Sequence, residues 1–185
     1  MITHPVTSQL CIVGLAGEAG SGKDLAAAYL ELYGFTRIAF ADAVKTSIDD
    51  IARRELLKHD LARNLWQEMG DAGRETCTDL WIALALAKMV MVHRKLGLNR
   101  FVISDVRYPN EAAAIWTWGG KIITIDRPGA RAGGKINRRH SSETSVAQIR
   151  PDCTIVNRAS REQLFVDIDL AMNKLDIRLK GRAEC

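Results

Sequence analysis

"LCIVGLAGEAGSGKDLAAAYLELYG", residues Leu10 to Gly34, is the stretch whose reading decides the fold. Leu10 to Gly17 is an apolar run ending in glycine, which predicts a buried strand entering a turn. Lys23 to Gly34 is rich in Ala and Leu and closes on Gly34, which predicts a helix. Between them, "GEAGSGKD" (Gly17 to Asp24) matches G-x-x-x-x-G-K, the pattern of a phosphate-binding loop. Such a match arises by chance in roughly one chain in twenty of this length, so its context decides. A strand before it and a helix after it are what the mechanism needs. Glycines let backbone N–H groups close around phosphate oxygens, and the helix N-terminus adds a favourable dipole.

The usual pattern ends in Ser or Thr, whose hydroxyl ligates Mg²⁺; here that place holds Asp24. Two like unit charges about 4 Å apart repel by roughly 4 kcal/mol at an effective dielectric near 20. A carboxylate beside phosphates is therefore costly without a cation. With Mg²⁺ between them the sign reverses, because both are preferred oxygen ligands. Asp24 is thus expected to replace the hydroxyl as a Mg²⁺ ligand, directly or through water.

Outward from this stretch, apolar runs alternate with helical patterns. Strands are predicted at "TRIAF" (Thr36 to Phe40), "RFVISDV" (Arg100 to Val106), "KIITI" (Lys121 to Ile125) and "CTIVN" (Cys153 to Asn157). Helices are predicted over Ala41 to Asp60, over Leu61 to Glu75 with a break around Gly70 and Gly73, and over Thr78 to Gly97. Two more are predicted over Pro109 to Gly120 and over Ser160 to Leu175, the last with a Ser160-x-x-Gln163 capping box. Short unalternating strands separated by helices imply parallel strands joined by right-handed crossovers. Ligands of such sheets bind at the carboxyl ends of the strands.

Those ends carry the candidate site. The second strand leads into Asp42 and Lys45; Asp42 either caps the next helix or faces a substrate. The third ends in Asp105, where a carboxylate holding Mg²⁺ would sit, followed by Arg107, suited to a phosphate. The alternative for that pair is an ordinary loop ion pair. The fourth enters a loop carrying Arg127, Arg131, Lys135, Arg138 and Arg139, with no acidic residue from Arg127 to Arg139. Glycines at 129, 133 and 134 suit a lid that closes over phosphoryl groups. A basic nucleic-acid patch is the competing reading, but no aromatic residue interleaves these arginines to stack bases. His140-Ser141-Ser142-Glu143 lacks the G-x-S-x-G turn of a hydrolase nucleophile.

Length and composition agree with one soluble globular domain. The chain has 185 residues, 47% hydrophobic and 26% charged, with a net charge of +4 that suits an anionic ligand. The four cysteines form no C-x-x-C pair and have no histidine at zinc spacing, so a reducing compartment and no structural metal are expected. Cys11 and Cys153 lie in apolar runs and read as buried. The N-terminus has no charged segment followed by an apolar run, so no leader is expected. "LWIALALAKMVMV" (Leu80 to Val92) is too short to cross a bilayer and reads as a core helix.

Together, "GEAGSGKD", "FADAVK", "LWQEMGDAGRETCTDLW", "VISDVRYPNEA", "IITIDRP" and "HSSE" resemble the deoxynucleoside monophosphate kinases of bacteriophages and their prophage relatives. The stretches run from residue 14 to about 157, and "ISDVRYPNEA" with a G-K-D loop is the specific part. The resemblance implies a P-loop kinase-like three-layer αβα sandwich with a five-stranded parallel sheet. It implies one domain over 1–185, with an acceptor-binding helical region inserted at about 41–99 and an arginine-rich lid at about 127–148. It also implies ATP as donor, Mg²⁺, and a (deoxy)nucleoside 5′-monophosphate as acceptor, in the cytoplasm (the host's, for a phage-encoded chain). No membrane or stable nucleic-acid partner is expected, and a homodimer is left open.

Carried over at matching positions, Gly17, Ala19, Gly20, Ser21, Gly22, Lys23, Asp24 and Leu25 bind ATP. Lys23, Arg107, Arg127 and Arg131 stabilise the transferred group. Asp42, Lys45, Gln67, Arg74, Trp81, Asp105, Arg107, His140 and Glu143 line the acceptor side, and Asp24 and Asp105 hold Mg²⁺. The chain departs from the family at Leu25, where Thr is frequent, and at Ala19 and Gly20, where some members are basic. Other acceptors, such as phosphomevalonate or dephospho-coenzyme A, remain open, as does a non-catalytic nucleotide- or nucleic-acid-binding module.

Overall fold

Five short strands form one parallel sheet in the order β2-β3-β1-β4-β5. They are β1 (Cys11–Ala16), β2 (Thr36–Ile38), β3 (Arg100–Val106), β4 (Lys121–Asp126) and β5 (Cys153–Val156). The computed structural model describes residues 10–42, 59–128 and 145–179; side chains of 59–67 fall outside that description. The described helices are α1 (Lys23–Glu31), α2 (His59–Thr76), α3 (Leu80–Leu96), α4 (Pro109–Thr117) and α5 (Arg161–Lys174), with a 3₁₀ turn at Val146–Gln148. The expected helix over 41–60 and the lid arginines beyond Arg127 lie mostly outside the described residues.

Alternation along the strands divides the core into two layers, because successive side chains point to opposite faces. Ile12, Phe101, Ile103 and Ile122 pack on one face with Ile82, Ala85 and Met89 of α3 and Ala112 and Ile115 of α4. Val13, Leu15, Val102, Ile123, Ile125 and Ile155 pack on the other with Ala26, Ala27 and Leu30 of α1 and Leu164, Ile168 and Met172 of α5. Both faces are covered, which is why the strands read as continuous apolar runs. The three-layer αβα architecture is as the sequence implies. Gly14 lets α4 approach β1: a Cβ there would lie 2.7 Å from the Ile115 and Ile122 Cδ1 atoms.

Four expectations are corrected. The helix over Leu61 to Glu75 is not broken: α2 runs through Gly70 and Gly73. Gly73 leaves room for an indole, since a Cβ there would lie 2.4 Å from Trp81 Cζ2, whereas a Cβ on Gly70 would lie 3.2 Å from Arg74 Nη2. The apolar run on α3 is core on one side only; Ile82, Ala85 and Met89 are buried, whereas Leu84 and Met91 are exposed. Cys11 and Cys153 are half-buried, and burial raises the Cys11 thiol pKa despite the nearby Arg100. The Ser160 hydroxyl accepts from Gln163 N at 3.3 Å, but the Gln163 side chain donates to Asp167 at 3.0 Å. Among the described residues, no single helix is long and apolar enough to cross a membrane.

Candidate active site

The parallel sheet brings the carboxyl ends of all five strands to one edge, and the glycine loop leaves the central strand there. Gly17, Gly20 and Gly22 have φ of 139°, 78° and 109°, which side chains rarely adopt. A Cβ on Gly17 would lie 2.3 Å from the Ile125 carbonyl oxygen, so the loop must pass close against β4. Gly22 is the N-cap of α1, and Asp24 lies in that helix's first turn. Lys23 is 8% exposed; its ammonium donates to the Gly17 carbonyl at 2.7 Å and the Glu18 carbonyl at 2.6 Å. The lysine thus closes the loop across its own backbone. Ser21 is buried, and its hydroxyl has no hydrogen-bond partner among the described residues. Ala19 and Leu25 are half-buried, Leu25 against the α1 side of the core.

A brace comes from the far edge of the sheet. Asn157, just past β5 and 7% exposed, donates from Nδ2 to the Ser21 carbonyl at 2.9 Å. Its own backbone N–H donates to Asp126 O at 2.7 Å. Sequence reading placed Asn157 in a strand and gave it no role; the contact spans 136 positions in sequence and leaves no local signal.

Asp24 meets an unexpected partner. Its Oδ1 pairs with the guanidinium of Arg37 on β2, whose Nε donates to Ser104 Oγ on β3 at 3.0 Å. Asp105 is engaged differently: Oδ1 accepts from Phe40 N at 2.8 Å and Oδ2 from Ala41 N at 3.1 Å. Asp105 therefore clamps the turn that follows β2. Asp42, in that turn, accepts from Ala39 N at 3.0 Å and from Lys88 on α3 at 2.7 Å. The bond to Ala39 runs back into the turn, and the ion pair to Lys88 was not foreseen; capping of the helix that follows Asp42 would fall on residues outside those described.

Beyond β3, Glu111 performs the parallel task. Its Oε2 accepts from Arg107 N at 2.7 Å and Tyr108 N at 3.0 Å, tying the loop that carries Arg107 to the start of α4. Glu111 is 5% exposed. Burial first, and then the negative charge of Asp105, push its pKa up to about 7, against the two backbone N–H groups and Arg74, which lower it. Sequence reading gave Glu111 no role.

The corner between α2 and α3 docks on this loop. The Arg74 guanidinium lies 4.5 Å from the Tyr108 ring centroid and pairs with Asp71 at 2.7 Å. Asn110 Nδ2 donates to the Thr78 carbonyl at 3.2 Å and to Asp79 at 3.1 Å. Trp81 Nε1 donates to the Gly70 carbonyl at 3.0 Å, so the indole fixes the α2–α3 angle. The structure thus gathers Arg74, Tyr108, Arg107 and Glu111 at one place, and Asp42, Lys88 and Asp105 at another. Arg127 is exposed at the end of β4. Lys45, Arg131, His140 and Glu143 lie outside the described residues, as does the side chain of Gln67.

Among the described residues, no group of three His, Cys, Asp or Glu is placed to hold a metal ion. That excludes a described all-protein cage, but Mg²⁺ is usually held by one or two carboxylates together with substrate phosphates and water. Asp24, with its side chain 85% exposed at the helix start, fits such a role.

No protein-family model matches the chain. The "Putative deoxynucleotide monophosphate kinase" of Acanthamoeba polyphaga mimivirus is 28% identical over 194 residues, covering 86% of this chain and 94% of the viral protein. The "Uncharacterized protein ORF77" of Ictalurid herpesvirus 1 (strain Auburn) is 31% identical over 156 residues, covering 84% and 67%. Dephospho-CoA kinase from Campylobacter jejuni shares the fold with a TM-score of 0.51 at 15% identity, over 90% of this chain and 98% of that one. TT1252 from Thermus thermophilus does so with a TM-score of 0.51 at 19% identity, over 94% and 100%. With its glycine loop leaving the central strand of a parallel αβα sandwich, the chain has a P-loop kinase-like fold and is similar over most of its length to the two viral proteins.

Proposed function

We propose that the protein transfers the γ-phosphoryl group of ATP to the 5′-phosphate of a (deoxy)nucleoside monophosphate, giving ADP and the diphosphate. The observation that carries this reading is the loop Gly17–Lys23: three glycines at positive φ and a lysine folded over them at the N-terminus of α1. The acceptor class rests on the likeness to the mimiviral protein, whose name gives a deoxynucleotide monophosphate kinase.

In this reading the work is positioning and charge stabilisation, since the acceptor is already a phosphate anion and needs no strong general base. Lys23 leaves its loop carbonyls to meet the β- and γ-phosphates. Arg107, Arg127 and Arg131 supply positive charge around the transferred group, and Asp24 would hold Mg²⁺. When bound, Mg²⁺ would offset negative charge on the phosphate groups. Asp105 adds to the metal site through lone pairs beyond those given to Phe40 and Ala41, since a carboxylate offers about four. Arg74 and Trp81 form the acceptor wall with Asp42, Lys45, Gln67, His140 and Glu143, and residues 127–148 act as the lid.

The test is ADP release from MgATP over a panel of dNMPs, NMPs and other small phosphorylated acceptors. Turnover with at least one nucleoside monophosphate is expected. No ADP above background with any of them, or turnover only with a different acceptor, overturns the reading.

A further inference from the structure

The cost of placing Asp24 beside phosphates is met by a residue outside the glycine loop. Arg37 is the middle residue of β2, an edge strand of the sheet. One part of its guanidinium is anchored: Nε donates to the hydroxyl of Ser104, which is 4% exposed. Another nitrogen pairs with Asp24 Oδ1. A guanidinium fixed at Nε is a positioned charge rather than a wandering surface one, and its planar fork matches a carboxylate. Asp24 is 85% exposed, so the pair contributes little to folding stability. Its larger effect falls on the local field. Lys23, the cation within the loop, donates to the Gly17 and Glu18 carbonyls.

We propose that Arg37 is a positioning residue of the phosphate site: it holds the Asp24 carboxylate on the β2 side of the loop and offsets its charge. The loop then attracts ATP even where no cation lies between carboxylate and phosphate. This rests on the reading of Gly17–Asp24 as an ATP site, but it makes no use of the acceptor or of turnover.

The experiment is ATP titration calorimetry without acceptor, once in excess Mg²⁺ and once in EDTA. The proteins are wild type, Arg37→Met, Arg37→Lys, Asp24→Asn and the Arg37→Met/Asp24→Asn double variant. Arg37→Met should weaken ATP about tenfold in EDTA, the scale of one partly screened unit charge, and far less in Mg²⁺. Adding Asp24→Asn should restore the EDTA affinity, and Arg37→Lys should keep most of it. Asp24→Asn alone should tighten ATP in EDTA, because Arg37 is then unopposed. Equal losses in both arms for Arg37→Met, or no rescue by Asp24→Asn, overturn the inference and leave Arg37 as a brace or a direct phosphate contact. If Arg37→Met does not fold, an unchanged EDTA affinity for Asp24→Asn alone is enough to overturn it. Wild type that binds no ATP in either arm overturns the ATP-site reading and the inference together. Binding by wild type with the wrong variant pattern overturns the inference alone.

Discussion

The loop after β1 and the loop after β3 stand side by side at the sheet edge and are held by opposite charges. After β1, a cation is bedded on backbone carbonyls: Lys23 donates to Gly17 and Glu18. Around the end of β3, anions are bedded on backbone N–H groups: Asp105, still within β3, accepts from Phe40 and Ala41 in the turn after β2, and Glu111 accepts from Arg107 and Tyr108 in the loop after β3. The first loop depends on backbone shape, which only glycine supplies. The second depends on carboxylates spending their acceptors on the scaffold. A loop that closes around an anion needs a movable positive charge, whereas a loop that aims an arginine needs a fixed frame.

The comparison breaks most visibly at Lys23. Lys23→Met should lower ADP release with MgATP at least about a hundredfold, the scale of losing one charge-stabilising donor. Unchanged far-UV circular dichroism would show that the fold survives. A smaller loss would mean that the lysine only closes its loop.

The glycine side is sharpened by a pair of variants. Gly17→Ala meets both a φ of 139° and a carbonyl oxygen 2.3 Å from the new Cβ, and should destabilise by about 3 kcal/mol in urea unfolding. Gly20→Ala has φ 78° but no atom within 4 Å of its Cβ, and should cost only about 1 kcal/mol. Equal costs would show that dihedral strain, not the close pass against β4, governs the loop.

The carboxylate side should respond to pH. Glu111 is raised from an ordinary value of 4.5 to about 7, chiefly by burial and then by Asp105. A raised pKa favours the protonated form in the folded chain. Its contribution is therefore whole below pH 4.5 and is lost as pH climbs through about 7. Glu111→Gln, whose amide oxygen still accepts N–H bonds, should flatten that loss, which is at most about 3 kcal/mol for one group. An unaltered pH profile of unfolding free energy would place the titration elsewhere.

Much of this was legible from sequence, and for a physical reason. Buried parallel strands must be apolar on both faces, so all five strands could be placed within a few residues. β2 alone was notably shorter than expected, ending at Ile38 because the chain turns there onto Asp105. Positive φ restricts residue type, so "GEAGSGKD" announced its own conformation. Carboxylates do not announce theirs. Asp42 read as a helix cap or a substrate ligand, and Asp105 as a metal or substrate ligand or half of a loop ion pair, and only their partners decide. Gly73 reads as punctuation in the sequence because the indole that needs its space lies on the next helix. Arg37, Lys88 and Asn157 escaped notice because their partners lie 13, 46 and 136 positions away.

The place of β1 in the sheet has a consequence for measurement. It is flanked by β3 and β4, and Ile12, Val13, Leu15 and Ala16 are at most 1% exposed. Amide hydrogens of such a strand exchange only when the whole domain opens. A ligand seated on the loop that leaves this strand therefore has no cheap local unfolding to oppose. Its binding energy enters the global equilibrium directly. The midpoint of heat unfolding then becomes a gauge of occupancy, readable without turnover, acceptor or label.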